Sequence, residues 1–311
     1  MILGRDPESQ SVIDDHVAHY TTQTDLNAAM RDSDEVRRRF ENAATSLRAS
    51  PYLGASHRVT RGVVEHETDP QTLAAMLARI QDQWTTLGET EPMYSVISQP
   101  EFLTANLDDR ALQLFRTGGA QEAADVDLFA SRAGVGVRHG VCLELGCGVG
   151  RITRHLAGRF EHVFALDISP GNLAACEAYM AEIGVTNVTT VLIRSLDDFD
   201  ALPPADCLYS FIVLQHNPPP IQKQMLRKLF AHLRPGGVAL FQIPSDMKGY
   251  AFDAASYLAS PPPEMEMHGL PRPVVLAEMQ RAGLVVLDVV PDDCLGEYGS
   301  FTFFGARPTE E

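Results

Sequence analysis

Apolar positions in the first part of the chain recur at helical spacing. After Thr68-Asp69-Pro70, the residues Leu73, Met76, Leu77, Ile80, Trp84 and Leu87 fall three or four apart, which predicts one amphipathic helix. Thr68 or Asp69 can cap it, Pro70 suits its first turn, and Gly88 supplies a stop. Ser98-Gln99-Pro100-Glu101 has the spacing of a capping box ahead of Phe102, Leu103 and Leu107. Residues 25–47 and 120–132 read as further helices, while residues 1–20 are polar, aperiodic and expected to fray.

After the glycine-containing stretch 134–140 the pattern changes to short apolar runs separated by helical segments. Val141–Leu145, His162–Leu166, Val188–Ile193, Asp206–Leu214 and Val238–Ile243 read as buried strands. Between them, Val149–Phe160, the segment from Ser169-Pro170 to Ile183, and the segment from Asn217-Pro218 to Leu233 read as helices, and Pro235-Gly236-Gly237 as a turn. Residues 244–272 interrupt the alternation with prolines and aromatics. Pro273–Ala282 resumes it as a helix, and Leu284–Val290 with Phe301–Ala306 form an antiparallel hairpin. Strands alternating with helices predict an α/β, doubly wound, mostly parallel sheet. The expected division is a helical cap over 1–133 and a sheet domain over 134–311, with 244–272 inserted as a lid.

Charge narrows the partners. The 25 Lys+Arg against 41 Asp+Glu leave a formal net charge of −16, which argues against nucleic acid or an anionic membrane as ligand. No apolar run reaches the ~20 residues of a membrane span, and the first residues carry no secretory signal pattern. The expectation is therefore a cytoplasmic protein. Five cysteines without a Cys-x-x-Cys pair predict neither a disulfide framework nor a zinc site. Cys142, Cys176 and Cys207 read as small core hydrophobes.

The chemistry concentrates in Val141-Cys142-Leu143-Glu144-Leu145-Gly146-Cys147-Gly148-Val149-Gly150-Arg151, a buried strand ending in a glycine-rich turn that opens a helix. Glycines there let backbone approach a ligand closely. A dinucleotide fingerprint needs a third glycine where this chain has Arg151, and Glu144 would repel a pyrophosphate while suiting an ammonium. The segment resembles motif I of the class I S-adenosylmethionine-dependent methyltransferases, and the likeness runs over residues 135–306. It implies a seven-stranded Rossmann-like sheet with an antiparallel seventh strand, and S-adenosyl-L-methionine as cofactor.

By that resemblance Glu144, Gly146, Cys147, Gly148, Asp167, Ile168, Ser195, Leu196 and Ser210 form the cofactor site. Asp167 takes the ribose diol, and Ser195 with Leu196 meets the adenine. The chain departs from the family where Arg194 stands in place of an acid, with Asp197 or Asp198 as substitutes. Asn217-Pro218-Pro219 comes too late after its strand to be an amino-group methyltransferase motif and reads as a helix cap.

His216, in the loop after the fourth strand, is the expected general base for a hydroxyl acceptor. His268 in the insertion is the second candidate. His16, His19, His57, His66 and His232 read as structural or surface residues. No clustered Asp and Asn ligand set can be assembled, so no metal is expected. The resulting reading is O-methyl transfer to a small metabolite, a sugar or oligosaccharide first, with Tyr94, Tyr250, Phe252 and Tyr257 as stacking aromatics. A non-catalytic cofactor-binding module and a nitrogen-directed methyltransferase are the alternatives. Oligomeric state is open.

Overall fold

The structure is a computed structural model that describes residues 62–309 except 248, 264, 293 and 295–298. The expectations for residues 1–61, the helix over 25–47 and the histidines at 16, 19 and 57 among them, lie outside the described residues. Residues 60–311 form one compact unit, so the helical segment before the sheet belongs to the same body as the sheet itself.

Seven strands form one sheet in the order β3-β2-β1-β4-β5-β7-β6. They are β1 (Val141–Leu145), β2 (His162–Asp167), β3 (Val188–Leu192), β4 (Ala205–Ser210), β5 (Leu233–Pro244), β6 (Val285–Pro291) and β7 (Ser300–Ala306). The first five run parallel, and β7 pairs antiparallel with both β5 and β6. This is the doubly wound, mostly parallel sheet the alternating pattern predicts, with the seven strands and antiparallel seventh strand that the resemblance implies. Its order reverses at β1, and ligands of such sheets bind outside the carboxyl ends of the strands at that switch.

Both faces are covered because the central strands are apolar on both sides. On one face Leu143, Leu208, Phe241 and Phe303 pack with Met225, Leu229 and Phe230 of α7 (Pro219–Ala231) and Met279 of α9 (Arg272–Arg281). Met76 and Ile80 of α1 (Pro70–Thr90) join that cluster. On the other face Cys142, Cys207, Tyr209 and Leu240 pack with Val126 and Phe129 of α4 (Ala120–Ala133) and Leu156 of α5 (Thr153–Ala157). α4 is therefore a face-covering helix. The cap at the strand ends is made by α1 and the short α2 (Pro92–Val96). The remaining helices are α3 (Asp109–Thr117), α6 (Pro170–Glu182) and α8 (Ala254–Ala259). All five cysteines are free.

Several boundaries differ from the sequence reading. Asp69 caps α1 through Gln71 N and Thr72 N as expected, but α1 runs past Gly88 to Thr90. Gly88 is a contact point, since a Cβ there would lie 2.2 Å from Ser169 Oγ and 2.8 Å from Asn172 Oδ1 at the start of α6. Helix propensity alone favours alanine at that position by about 1 kcal/mol, and overpacking costs about 1–3 kcal/mol. Gly88→Ala is therefore expected to lower the urea midpoint with an unchanged slope; a raised midpoint would show that the two helices can part at no cost.

Ser98 forms no capping box. Its hydroxyl lies 3.4 Å from Tyr94 O, and the short 3-10 turn Pro100–Phe102 has no side-chain cap. The expected helix over 149–160 shrinks to α5, because residues 148–152 are spent in the glycine turn. β4 stops at Ser210, four residues short of the apolar run, and Leu214–His216 is a 3-10 turn. Asn217 does not cap α7; its amide donates to Val213 O at 3.0 Å and Pro218 holds the cap position. Residues 235–237 are drawn into β5, whose register with β4 shifts between Ala205 and Cys207.

Candidate active site

A cavity of about 910 Å³ of empty space, partly open to solvent, sits at the carboxyl ends of β1, β2 and β4. Its floor is the turn after β1. Gly146 and Gly148 have φ of 74° and 52°, a region that disfavours any side chain. A Cβ at Gly146 would meet Val213 Cγ2 at 2.2 Å, and one at Gly148 would meet Val96 Cγ2 at 2.5 Å. The turn is thus packed between the β4 loop and α2, and it is pinned by Gly146 N donating to Leu166 O at 2.7 Å.

Two carboxylates face the cavity. Asp167, at the end of β2, accepts from Gly148 N at 2.8 Å and from Ser169 N at 2.9 Å, which joins the two turns. Burial raises its pKa, and those backbone donors oppose the rise. Glu144 is 2% exposed and its Oε2 has no hydrogen-bond partner. Burial pushes its carboxyl up to about 7; the nearby Thr153 hydroxyl pulls it down, the Asp167 charge adds to the rise, and Arg151 opposes it. Arg151 also lines the cavity. It donates from Nη1 to Glu122 at 2.9 Å and keeps a buried Nε without a partner. An unpaired carboxylate oxygen and an unpaired guanidinium N–H are costly to bury unless a ligand meets them.

The opposite wall is apolar and aromatic. Ile80 and Trp84 come from α1, Val96 from α2, Phe211, Ile212 and Val213 from the β4 loop, and Met225 from α7. Ile212 has φ 55°, rare for a β-branched residue, and its N–H donates to Gln242 Oε1 at 3.1 Å. Such strain is typical of functional loops.

His216 lines the cavity with its ring centroid 5.0 Å from that of Trp84. Its Nδ1 lies 2.9 Å from Glu266 O. A carbonyl oxygen only accepts, so Nδ1 carries the proton and Nε2 keeps the lone pair, which faces the Gln215 amide at 3.3 Å. Burial lowers the imidazole pKa to about 4; the Glu266 carbonyl opposes that shift and His268 adds to it.

Of the residues named from sequence, Glu144, Gly146, Cys147, Gly148, Asp167, Ile168 and His216 are brought together around this cavity. Ser195, Leu196, Ser210 and His268 are outside its wall. Ser195 is the cap of a 3-10 turn that begins at Leu196, with Asp198 accepting from Arg194 N and Ser195 N. Asp198 is thereby committed to the turn, and Ile193 and Phe199 reach the cavity in place of Ser195 and Leu196. Ser210 Oγ is directed at Leu145 O, 3.3 Å away in the sheet. His268 Nε2 donates to Glu266 Oε2 at 3.1 Å, and its Nδ1 meets the Tyr250 hydroxyl at 2.9 Å. Tyr250, Phe252 and Tyr257 pack around that imidazole, so they do not offer open stacking faces.

Trp84 and Arg151 are among the wall residues that sequence reasoning left out of the site. Trp84 lies on the apolar stripe of a helix and looks like any core residue there. Arg151 carried a signal only as the residue that excludes a third fingerprint glycine.

The fold and the glycine turn define a Rossmann-like α/β protein with its main described cavity at the switch point. Residues 142–237 match the family model described as a methyltransferase domain. The trans-aconitate 2-methyltransferase of Deinococcus radiodurans is 33% identical over 104 residues, 33% of this chain and 38% of that protein. The aligned part is thus little more than a third of that relative's length. An S-adenosylmethionine-dependent methyltransferase from Clostridium acetobutylicum is similar at a TM-score of 0.49 and 13% identity, covering 66% of this chain and 98% of that one. The magnesium protoporphyrin IX methyltransferase of Synechocystis with bound SAH is similar at 0.49 and 16% identity, over 74% and 99%. Residues 142–237, from β1 into β5, thus carry the methyltransferase-domain match within a sheet of the order β3-β2-β1-β4-β5-β7-β6. Among the described residues no helix is long and apolar enough to cross a membrane.

Proposed function

We propose that this protein transfers the methyl group of S-adenosyl-L-methionine to a hydroxyl of a small neutral molecule, with His216 as general base. The carrying observation is that one cavity holds both an unpartnered buried carboxylate oxygen on Glu144 and a neutral imidazole on His216. The residues present suit the cofactor. Glu144 would hold its ammonium, Arg151 Nε its carboxylate and Asp167 its ribose, and Ile168, Ile193 and Phe199 would flank its adenine. Bound there, the cofactor supplies a methyl carbon made electrophilic by a sulfonium. The protein holds the donor and acceptor in line and takes the acceptor's proton.

With those three charged groups assigned to the cofactor, the acceptor meets Ile80, Trp84, Val96, Phe211, Val213 and Met225, with Ser95, Asn172, His216 and Asn217 as the polar members of the lining. A sugar or oligosaccharide would bury more hydroxyls against that wall than those few polar groups can pair, since Ser95 and Asn172 already bond each other and Asn217 donates to Val213 O, and each unpaired hydroxyl has a cost. An imidazole whose pKa is about 4 also suits an acceptor that is already acidic. Both points favour a phenol- or enol-like hydroxyl on a flat apolar body over a carbohydrate. The base argues against a purely binding module, and the −16 net charge against nucleic acid.

Trp84 is the chain's single tryptophan, so its emission reads this cavity directly. Titration with S-adenosylhomocysteine is expected to change Trp84 fluorescence saturably, and NAD is expected to leave it unchanged. Labelled-donor turnover against phenols, enols, sugars and amines then sorts the acceptors. A response to NAD alone, or turnover with sugars only, would overturn the reading.

A further inference from the structure

We propose that Glu266 is a positioning residue that sets the tautomer of His216 through its own backbone carbonyl; this rests on His216 being the base. Glu266 lies in the segment between α8 and α9, outside the cavity wall, and its side chain is 2% exposed. Four donors hold its carboxylate. Arg79 Nε and Nη2 reach Oε1 at 2.9 and 2.7 Å, and the Tyr257 hydroxyl and His268 Nε2 reach Oε2 at 2.7 and 3.1 Å. A carboxylate with every oxygen engaged by such donors has one orientation, and the main chain beside it is held with it.

What that fixed main chain touches is His216. The Glu266 carbonyl accepts the Nδ1 proton at 2.9 Å, which leaves the lone pair on Nε2. The adjacent connection runs the other way, with His268 N donating to Gln215 O at 2.7 Å. Arg79 extends the device to α1. Its Nη1 donates to Tyr257 O and Ser260 O at 2.6 Å each, and one turn further along the same helix Trp84 packs on the imidazole. One buried ion pair thus registers the cavity's aromatic wall, the 254–266 segment and the base against each other. The plainer alternative is that Arg79–Glu266 only holds the segment in place, and the imidazole would then choose its tautomer without it.

The test is the ¹⁵N spectrum of histidine-labelled full-length protein, with the His216 signals assigned by difference from His216→Ala. In the native protein Nδ1 is expected to be protonated and Nε2 to be an unprotonated acceptor; the reverse tautomer overturns the proposal at once. In Glu266→Gln, which keeps the shape but puts an NH₂ against the Tyr257 hydroxyl and His268 N–H, a mixture of tautomers is expected. At the same time kcat should fall at least 10-fold while S-adenosylhomocysteine affinity stays within twofold. Arg79→Lys, which keeps the charge with fewer directed donors, should fall between the two. If folded Glu266→Gln keeps the single native tautomer, the positioning role is wrong. If the tautomer mixes while turnover holds, the positioning stands and His216 is not the base.

Discussion

Replacing His216 with alanine is expected to lower turnover by about 10²–10⁴-fold, the usual contribution of a positioned base. Donor affinity should barely change, because in the proposed binding mode the donor is held by Glu144, Asp167 and the glycine turn at the ends of β1 and β2. The pH profile carries a second signature. Burial pulls this imidazole to about 4, far below its ordinary range. Native turnover at saturating donor should therefore be level from pH 6 to 8 and fall only as pH drops toward 4, in contrast to the neutral-pH limb an ordinary histidine predicts. The same shift enters stability with a definite sign. A histidine whose folded pKa is depressed contributes stability above its unfolded value near 6.5, and that contribution is lost as pH falls through about 4. The contribution is about 3 kcal/mol by the usual conversion, and His216→Ala should remove that stretch of acid sensitivity. Near-native turnover in the variant with an unchanged acid limb would put the base elsewhere.

The Glu144 carboxylate should make donor binding strongly pH-dependent. Its pKa in the free protein is about 7, so below neutrality an arriving ammonium has to displace a proton. Affinity for S-adenosylhomocysteine is then expected to rise about tenfold per pH unit up to 7 and to level off above it. Calorimetry in buffers of different ionisation enthalpy should show close to one proton released per ligand at pH 6. Glu144→Gln should bind more weakly above pH 7 and show neither the slope nor the proton. A native slope in that variant would show that another group takes the ammonium. In the free protein the stability sign is opposite to that of His216. A carboxyl whose folded pKa is raised contributes stability fully below about 4.5, and that contribution is lost as pH rises through about 7. Between pH 4.5 and 6.5 the two groups therefore oppose each other, and each single variant should expose the other's slope.

Much of this protein is legible along the chain because the signals are local. The strand from Val141 to Leu145, the cap at Asp69, the Ser169-Pro170 helix start and the antiparallel end of the sheet follow from period, capping and turn chemistry within a few residues. Glu144, Gly146 and Gly148 stand out for the same reason, since a glycine turn between a strand and a helix is a contiguous pattern, while Asp167 at the end of the next strand is singled out by the family resemblance. What the chain alone misstated is what long-range packing decides. Gly88 resembles a helix stop, yet it is the point where α6 comes closest. The apolar run after Ala205 suggests a strand to Leu214, yet Phe211, Ile212 and Val213 leave the sheet to wall the cavity. Ser195 and Leu196 have the right sequence position for an adenine contact, but the turn capped by Asp198 takes them away and sends Ile193 and Phe199 inward.

The sequence by itself determined the sheet strands and the glycine turn with Glu144 beside it, because those depend on periods and spacings that neighbouring residues carry; Asp167 joined them through the family resemblance. Only the tertiary structure decided the base's proton, the acceptor wall and the grip on Glu266. His216, Trp84, Arg79 and Glu266 lie up to 187 residues apart. Their burial, and hence every pKa and hydrogen bond among them, exists only once α1 and the segment after α8 close over the strand ends.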